Sequence, residues 1–173
     1  MLRIALVLSV LLVASPALAQ TYPTQVRSGL DALSRGDRDA GLRSLREAVA
    51  TDPSRPDAVC YLAEAFRMSG DLTGALDNFS MCLTIARAAN DRPFTARAMH
   101  GVASTFERMP DEHLTDAREA WLAYTRFCES NTGVGHPEIG RARVTAIDTV
   151  IELGRVSTEV AGRIEARSRA AAH

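Results

Sequence analysis

Residues 56–89 read PDAVCYLAEAFRMSGDLTGALDNFSMCLTIARAA, and the reading of this stretch decides the fold. Its first half sets Val59, Leu62, Ala63 and Phe66 at helical spacing, along one face of an amphipathic helix. Gly70 interrupts that pattern where a helix commonly ends on a left-handed residue, and Asp71 follows as an N-cap for a second helix. Leu72, Leu76, Phe79 and Leu83 then repeat the amphipathic spacing. The same Gly-Asp pair occurs 34 positions earlier, at Gly36-Asp37. Val26, Leu30 and Leu33 precede it, and Leu42, Leu45 and Val49 follow it up to Asp52-Pro53. A helix pair recurring at this period predicts stacked hairpins, because one hairpin cannot bury its own apolar face and its neighbours must cover it. No alternating apolar and polar run long enough for a strand is present, so the expected class is all-α.

A third unit is visible but irregular. Met99, Gly101, Val102 and Phe106 mark its first helix; Ala117, Ala120, Trp121, Tyr124 and Phe127 mark its second. Gly101 to Ala117 is 16 residues where Ala63 to Ala75 is 12, so four residues enter the turn around Met109 to His113. Asn90 to Pro93 lengthens the connection before it. Beyond Ser130 a loop runs to His136, and Pro137 suits the first turn of a helix carrying Ile139, Ala142, Ala146, Ile147 and Val150. Gly154 separates it from a last helix through Val156, Val160 and Ile164. These two are expected to cap the stack over about residues 137–172.

The unit resembles the tetratricopeptide repeat, a helix pair marked by small and aromatic residues at set positions. With each Gly-Asp at the mid-unit turn, residues 56–89 supply Leu62-Ala63, Phe66, Ala75 and Phe79 at the family's marked positions. Cys82 replaces the second small residue, and Arg87 stands where proline is expected. Residues 22–55 supply Gly29, Gly41, Leu45, Ala48 and the ending Asp52-Pro53. The resemblance covers residues 22–130 and implies a helical-hairpin solenoid with repeats at about 22–55 and 56–89, an irregular third at 94–130, and capping helices after it. It also implies partner binding on the concave face formed by the first helix of each unit. Carried over position by position, that face is Val26, Leu30 and Leu33, then Cys60, Glu64, Arg67 and Met68, then Thr95, Ala98, Val102, Thr105 and Phe106. Family members that clamp a peptide carboxylate do so with Lys and Asn. Here those positions hold Val26, Leu30, Cys60 and Glu64, so that clamp is missing. Val26 and Leu30 serve equally well as packing beneath Tyr22 or the C-terminal helices.

The first 19 residues read as a secretory signal peptide. Arg3 precedes an apolar run of 11 residues, too short to span a bilayer, and Pro16 and Ala17-Leu18-Ala19 form a small-residue cleavage site. Cleavage would leave a single helical domain, residues 20–173, periplasmic or secreted, with no integral membrane span. All 20 basic residues are Arg, set against 21 acids, and no basic run occurs. That balance argues against nucleic acid as the partner. Cys60, Cys82 and Cys128 are an odd set for an oxidising compartment: one bridge with three possible pairings, or three buried thiols.

Catalytic and metal chemistry find no support in the sequence. His100, His113 and His136 do not stand at ligand spacing to one another or to a cysteine. No Gly-x-Ser-x-Gly turn, phosphate-cradling loop or His-Glu-x-x-His helix is present. The expected function is therefore non-catalytic and cofactor-free: an adaptor or scaffold of the cell envelope that holds another protein or peptide in its groove. Binding of an apolar small molecule or lipid in the same groove is the alternative. Self-association through an uncapped end is a further expectation.

Overall fold

Gly36 and Gly70 adopt φ of 82° and 85°, the left-handed backbone that a side chain disfavours and that ends each first helix. Asp37 and Asp71 then cap the second helices, their carboxylates accepting from Ala40 N at 3.1 Å and Gly74 N at 2.9 Å. The computed structural model describes residues 16–171, and these turns join α1 (Pro16–Ser34) to α2 (Arg38–Thr51) and α3 (Pro56–Ser69) to α4 (Leu72–Ala88). The rest comprises α5 (Arg92–Phe106), a 3₁₀ turn (Asp111–His113), α6 (Leu114–Ser130) and α7 (Pro137–Ala171). No strand occurs among the described residues, and the chain is an all-α stack of helical hairpins. The leader read from residues 1–19 lies outside the described residues except for 16–19, which open α1.

The connection into α5 uses the same device as the two Gly-Asp turns, with a residue the sequence pattern does not flag. Asn90 takes a positive φ of 54°, and Asp91 caps α5 by accepting from Phe94 N at 3.0 Å. Asparagine is among the few side chains that tolerate this region, so Asn90-Asp91 substitutes for Gly-Asp.

Small residues let the helices close on one another. A Cβ on Gly29 would lie 2.7 Å from Leu45, and one on Gly41 would lie 2.6 Å from Leu33. Each leucine thus fills the space left by the glycine across the α1–α2 pair. Ala63 and Ala75 play that part between α3 and α4, both fully buried beside Phe79. Phe79 also reaches the next hairpin, where its ring would meet a Cβ on Gly101 at 2.2 Å. Tyr22 seals the first hairpin to the second: its hydroxyl donates to the Asp57 carboxylate and accepts from Ala58 N at 3.2 Å.

Cys60 of α3 and Cys82 of α4 form a disulfide, which settles the pairing that the sequence leaves open. Cys128 is a buried free thiol. The bridge sits in a cluster with Val59 and Ala98, so it braces α5 as well as the hairpin that it crosses. The third hairpin is built around Trp121, 1% exposed, with Met99, Ala103, Ala117, Tyr124 and Ile147 about it.

The end of the chain differs from the sequence reading. One helix of 35 residues runs from Pro137 to Ala171, where two capping helices are expected. Gly154 does not break it. Its position is open, so the glycine costs about 1 kcal/mol in helix propensity without adding strain. Ion pairs at helical spacing carry the helix across it, from Glu152 to Arg155, Arg155 to Glu159 and Glu159 to Arg163. Among the described residues no helix is long and apolar enough to cross a membrane.

Candidate functional site

The groove between α3 and α5 follows from two i,i+3 pairs that face each other. On α3, Arg67 grips Glu64 with two hydrogen bonds, Nε to Oε2 at 3.0 Å and a shorter one from Nη2 to Oε1. On α5, Arg97 and His100 line the opposite wall, and Phe79 with Gly101 makes the floor of a cleft of about 230 Å³. Arg97 and His100 also line a neighbouring hollow of about 330 Å³ that runs past Pro93, Tyr124 and Val134 to His136. The two hollows thus meet at Arg97 and His100.

Its charges are unequally matched. Burial works to raise the Glu64 carboxyl, but the Arg67 hydrogen bond and charge, with Arg97 and His100 behind them, hold it below its ordinary value. Arg67 is thus satisfied. Arg97 has no salt-bridge partner among the described residues; its guanidinium lies 4.8 Å from the Tyr61 ring centroid, a cation–π contact that ties α5 to α3. The groove carries one positive charge not matched by a carboxylate in contact.

His100 stands edge-on to Trp121 at 5.0 Å and to Tyr124 at 5.6 Å. Burial lowers its pKa below the ordinary 6.5; Glu64 partly offsets this, while Arg67, Arg143 and Arg97 lower it further. The folded value lies below the unfolded one, so as pH falls the unfolded chain takes up this proton first. The stability His100 contributes is complete above its unfolded value and is lost as pH drops through the folded one. Urea midpoints taken from pH 7 to 5 should therefore fall more steeply in the native chain than in His100→Gln. Parallel slopes would exclude His100 as a source of acid sensitivity.

The sequence-derived face is divided by the structure. Glu64 and Arg67 lie in the groove. Val26 and Leu30 are half-buried and line a separate hollow of about 300 Å³ at the α1 end, with Tyr22, Arg55 and Asp57. Leu33 is spent on Gly41, and Met68 is 59% exposed. Val102 packs on the Phe79 cluster, and Phe106 on the third-hairpin core. Cys60, Thr95, Ala98 and Thr105 are buried, at 0–3% exposure, and cannot touch a ligand. Cys60 is consumed by the disulfide, Ala98 packs against it, and Thr105 Oγ1 donates to Gly101 O at 2.6 Å.

Arg97 and His100 are the groove residues that the repeat register misses. The clue in the sequence is that they form a polar i,i+3 pair on a helix otherwise composed largely of small and apolar residues. A larger hollow of about 610 Å³ is lined by α6 residues alone, Asp116 to Arg126, and is the outer face of one helix rather than a cleft. No three His, Cys, Asp or Glu side chains among the described residues converge as a metal site.

No protein-family model matches the sequence, and no curated protein matches it. Solved structures do resemble the fold. The N-terminal domain of stress-induced protein-1 (STI-1) from C. elegans superposes with a TM-score of 0.62 at 16% identity, covering 76% of this chain and 98% of that one. The Sgt2 TPR domain from Aspergillus fumigatus gives 0.62 at 16% identity, covering 78% and 81%. The first TPR of Spaghetti (RPAP3), bound to the HSP90 peptide SRMEEVD, gives 0.60 at 14% identity, covering 77% and 97%. This chain has the tetratricopeptide-repeat fold.

Proposed function

We propose that the chain is a non-catalytic adaptor, exported to an oxidising compartment, that holds an extended, acidic segment of another protein in the groove between α3 and α5. The observation that carries this reading is Arg97, a cation without a salt-bridge partner among the described residues, on the wall of a groove whose other charges, Glu64 and Arg67, are already paired. A carboxylate on the incoming segment would complete that wall without disturbing the pair beside it. The charged lining suits a peptide better than an acyl chain. One of the similar folds, the first TPR of Spaghetti, is bound to the peptide SRMEEVD, which supports peptide binding as a use of this fold. The Cys60–Cys82 bridge and the leader-like first 19 residues support export.

The test is crosslinking in the native cell envelope from a photoreactive residue at position 61, beside Arg97, followed by affinity measurement on the captured protein. Arg97→Glu is expected to weaken binding about tenfold or more, which corresponds to ~1.4 kcal/mol, with the helical CD signal intact. The swap Glu64→Arg with Arg67→Glu, which keeps the pair but reverses its order, should also impair binding. Unchanged affinity in both variants would move the interface off this groove. A stoichiometric lipid in the purified chain, with no protein captured, would overturn the adaptor reading.

A further inference from the structure

His100 is a half-buried base set among fixed charges. It lines both hollows of the groove, with Arg97 one helical turn before it. From α3 the charges of Glu64 and Arg67 act on it, and from α7 that of Arg143. From α6 it meets the rings of Trp121 and Tyr124 edge-on, and Phe79 of α4 closes the floor without a charge. His136 also lines the second hollow and pairs with Glu138. Glu64 is held by Arg67 and Glu107 by Arg143, so these four groups cancel. Arg97 is left over, and the set carries one net positive charge while His100 is neutral. Protonating His100 would place a second beside it, in a site partly shielded from water. The empty groove therefore favours the neutral imidazole, in line with the lowered pKa that burial and the arginines give it.

An acidic segment reverses that balance. A carboxylate brought to Arg97 cancels the unmatched charge and lies on the order of 6 Å from His100, because residues three apart on a helix are neighbours. At that range an opposite charge favours the imidazolium. Covering the groove also takes water from the ring, which opposes the charge, but the same loss of water strengthens its attraction to the carboxylate. A second carboxylate within hydrogen-bond reach of the ring tips the sum toward the charged form. The segment that fits best therefore carries two acidic residues, one for Arg97 and one for His100. Glu64, held below its ordinary value by Arg67, stays ionised and paired while this happens.

We infer, resting on the groove binding proposed above, that docking is coupled to a proton: His100 takes one up from solvent as paired carboxylates seat on it and on Arg97, so that the chain holds an acidic partner more tightly at mildly acidic than at neutral pH. The sign follows from linkage. The bound imidazole keeps its proton to higher pH than the free one. Affinity is constant and low above both transitions, climbs as pH falls between them, and levels off below the free one.

Titration calorimetry of the full chain without its leader, against a blocked hexa-aspartate peptide that stays ionised from about pH 7.5 to 5, tests this. Affinity is expected to rise about fivefold or more over that range. Proton uptake should appear as a binding heat that varies with the ionisation enthalpy of the buffer. In His100→Gln both effects should vanish, whereas His113→Gln, outside the groove and paired with Asp116, should keep them. In the native chain, the histidine resonance in contact with the Trp121 ring should titrate at higher pH with peptide bound than without. Binding that needs Arg97 but has the same affinity at both ends of the range overturns the proton coupling and leaves the groove reading standing. So does a bound chain in which the titration of His136 moves and that of His100 does not. No binding at either pH, or binding indifferent to Arg97→Glu, overturns the groove reading and the proton coupling with it.

Discussion

Replacing Cys60 and Cys82 together by alanine is expected to cost about 3 kcal/mol of folding stability. The bridge closes a loop of 22 residues, and removing that constraint from the unfolded chain accounts for a loss of this size. For a domain with about 5–15 kcal/mol in total, that is a large share. The effect should also reach the groove. Ala98 of α5 packs on the bridge together with Val59, so α3 and α5 are held in register partly through the sulfurs. Loss of the bridge should weaken partner binding even where the chain remains folded. Urea unfolding of the native chain with and without reductant checks this directly: the reduced chain should match the double alanine variant. A midpoint unmoved by reductant would show that the helices alone hold α3 to α4.

Trp121→Ala should cost about 3–5 kcal/mol, the range for removing a buried large aromatic. The side chain is 1% exposed and sits where α5, α6 and α7 meet. It also anchors a polar relay. Its indole Nε1 donates to Glu107 at 3.1 Å, and Glu107 pairs with Arg143 of α7 at 3.2 Å. Alanine would leave a cavity beside His100 and Tyr124 and remove the donor that orients Glu107. The expected result is a third hairpin that unfolds ahead of the first two, seen as a broadened or two-step CD transition. Trp121→Phe, which keeps most of the packing and loses only the indole donor, should cost about 1 kcal/mol. A cost near that for alanine as well would mean that the site collapses around the gap.

The two regular hairpins were legible because every signal for them is local. Glycine at a left-handed turn, aspartate one residue later and apolar residues on a 3.6 period act within a few positions of one another. The turn before α5 was less legible, because Asn90 performs the glycine's task with a side chain that also suits many other roles. The inserted turn at Met109 to His113 shows in the spacing, but its partner does not. Only the fold brings Glu107 under Trp121. The groove face was legible on α3, where Glu64 and Arg67 keep the repeat register. On α5 that register points to Thr95, Ala98 and Thr105, which are buried, and passes over Arg97 and His100. Phe79 seats on Gly101 and the disulfide on Ala98, so this edge of α5 is turned inward by contacts that a helical period does not encode.

By itself the sequence determined the class, the hairpin period and the caps of the two regular hairpins, because backbone geometry and short-range hydrogen bonds decide them. Three things were left to the tertiary structure. It chose Cys60 and Cys82 as the bridge, since only packing brings two particular sulfurs together. It set which polar residues face the groove, since exposure depends on how neighbouring helices seat. It carried α7 straight through Gly154, since a glycine breaks a helix only when the chain has a better place to go, and α7 is held from one side by α6 and from the other by its own ion pairs.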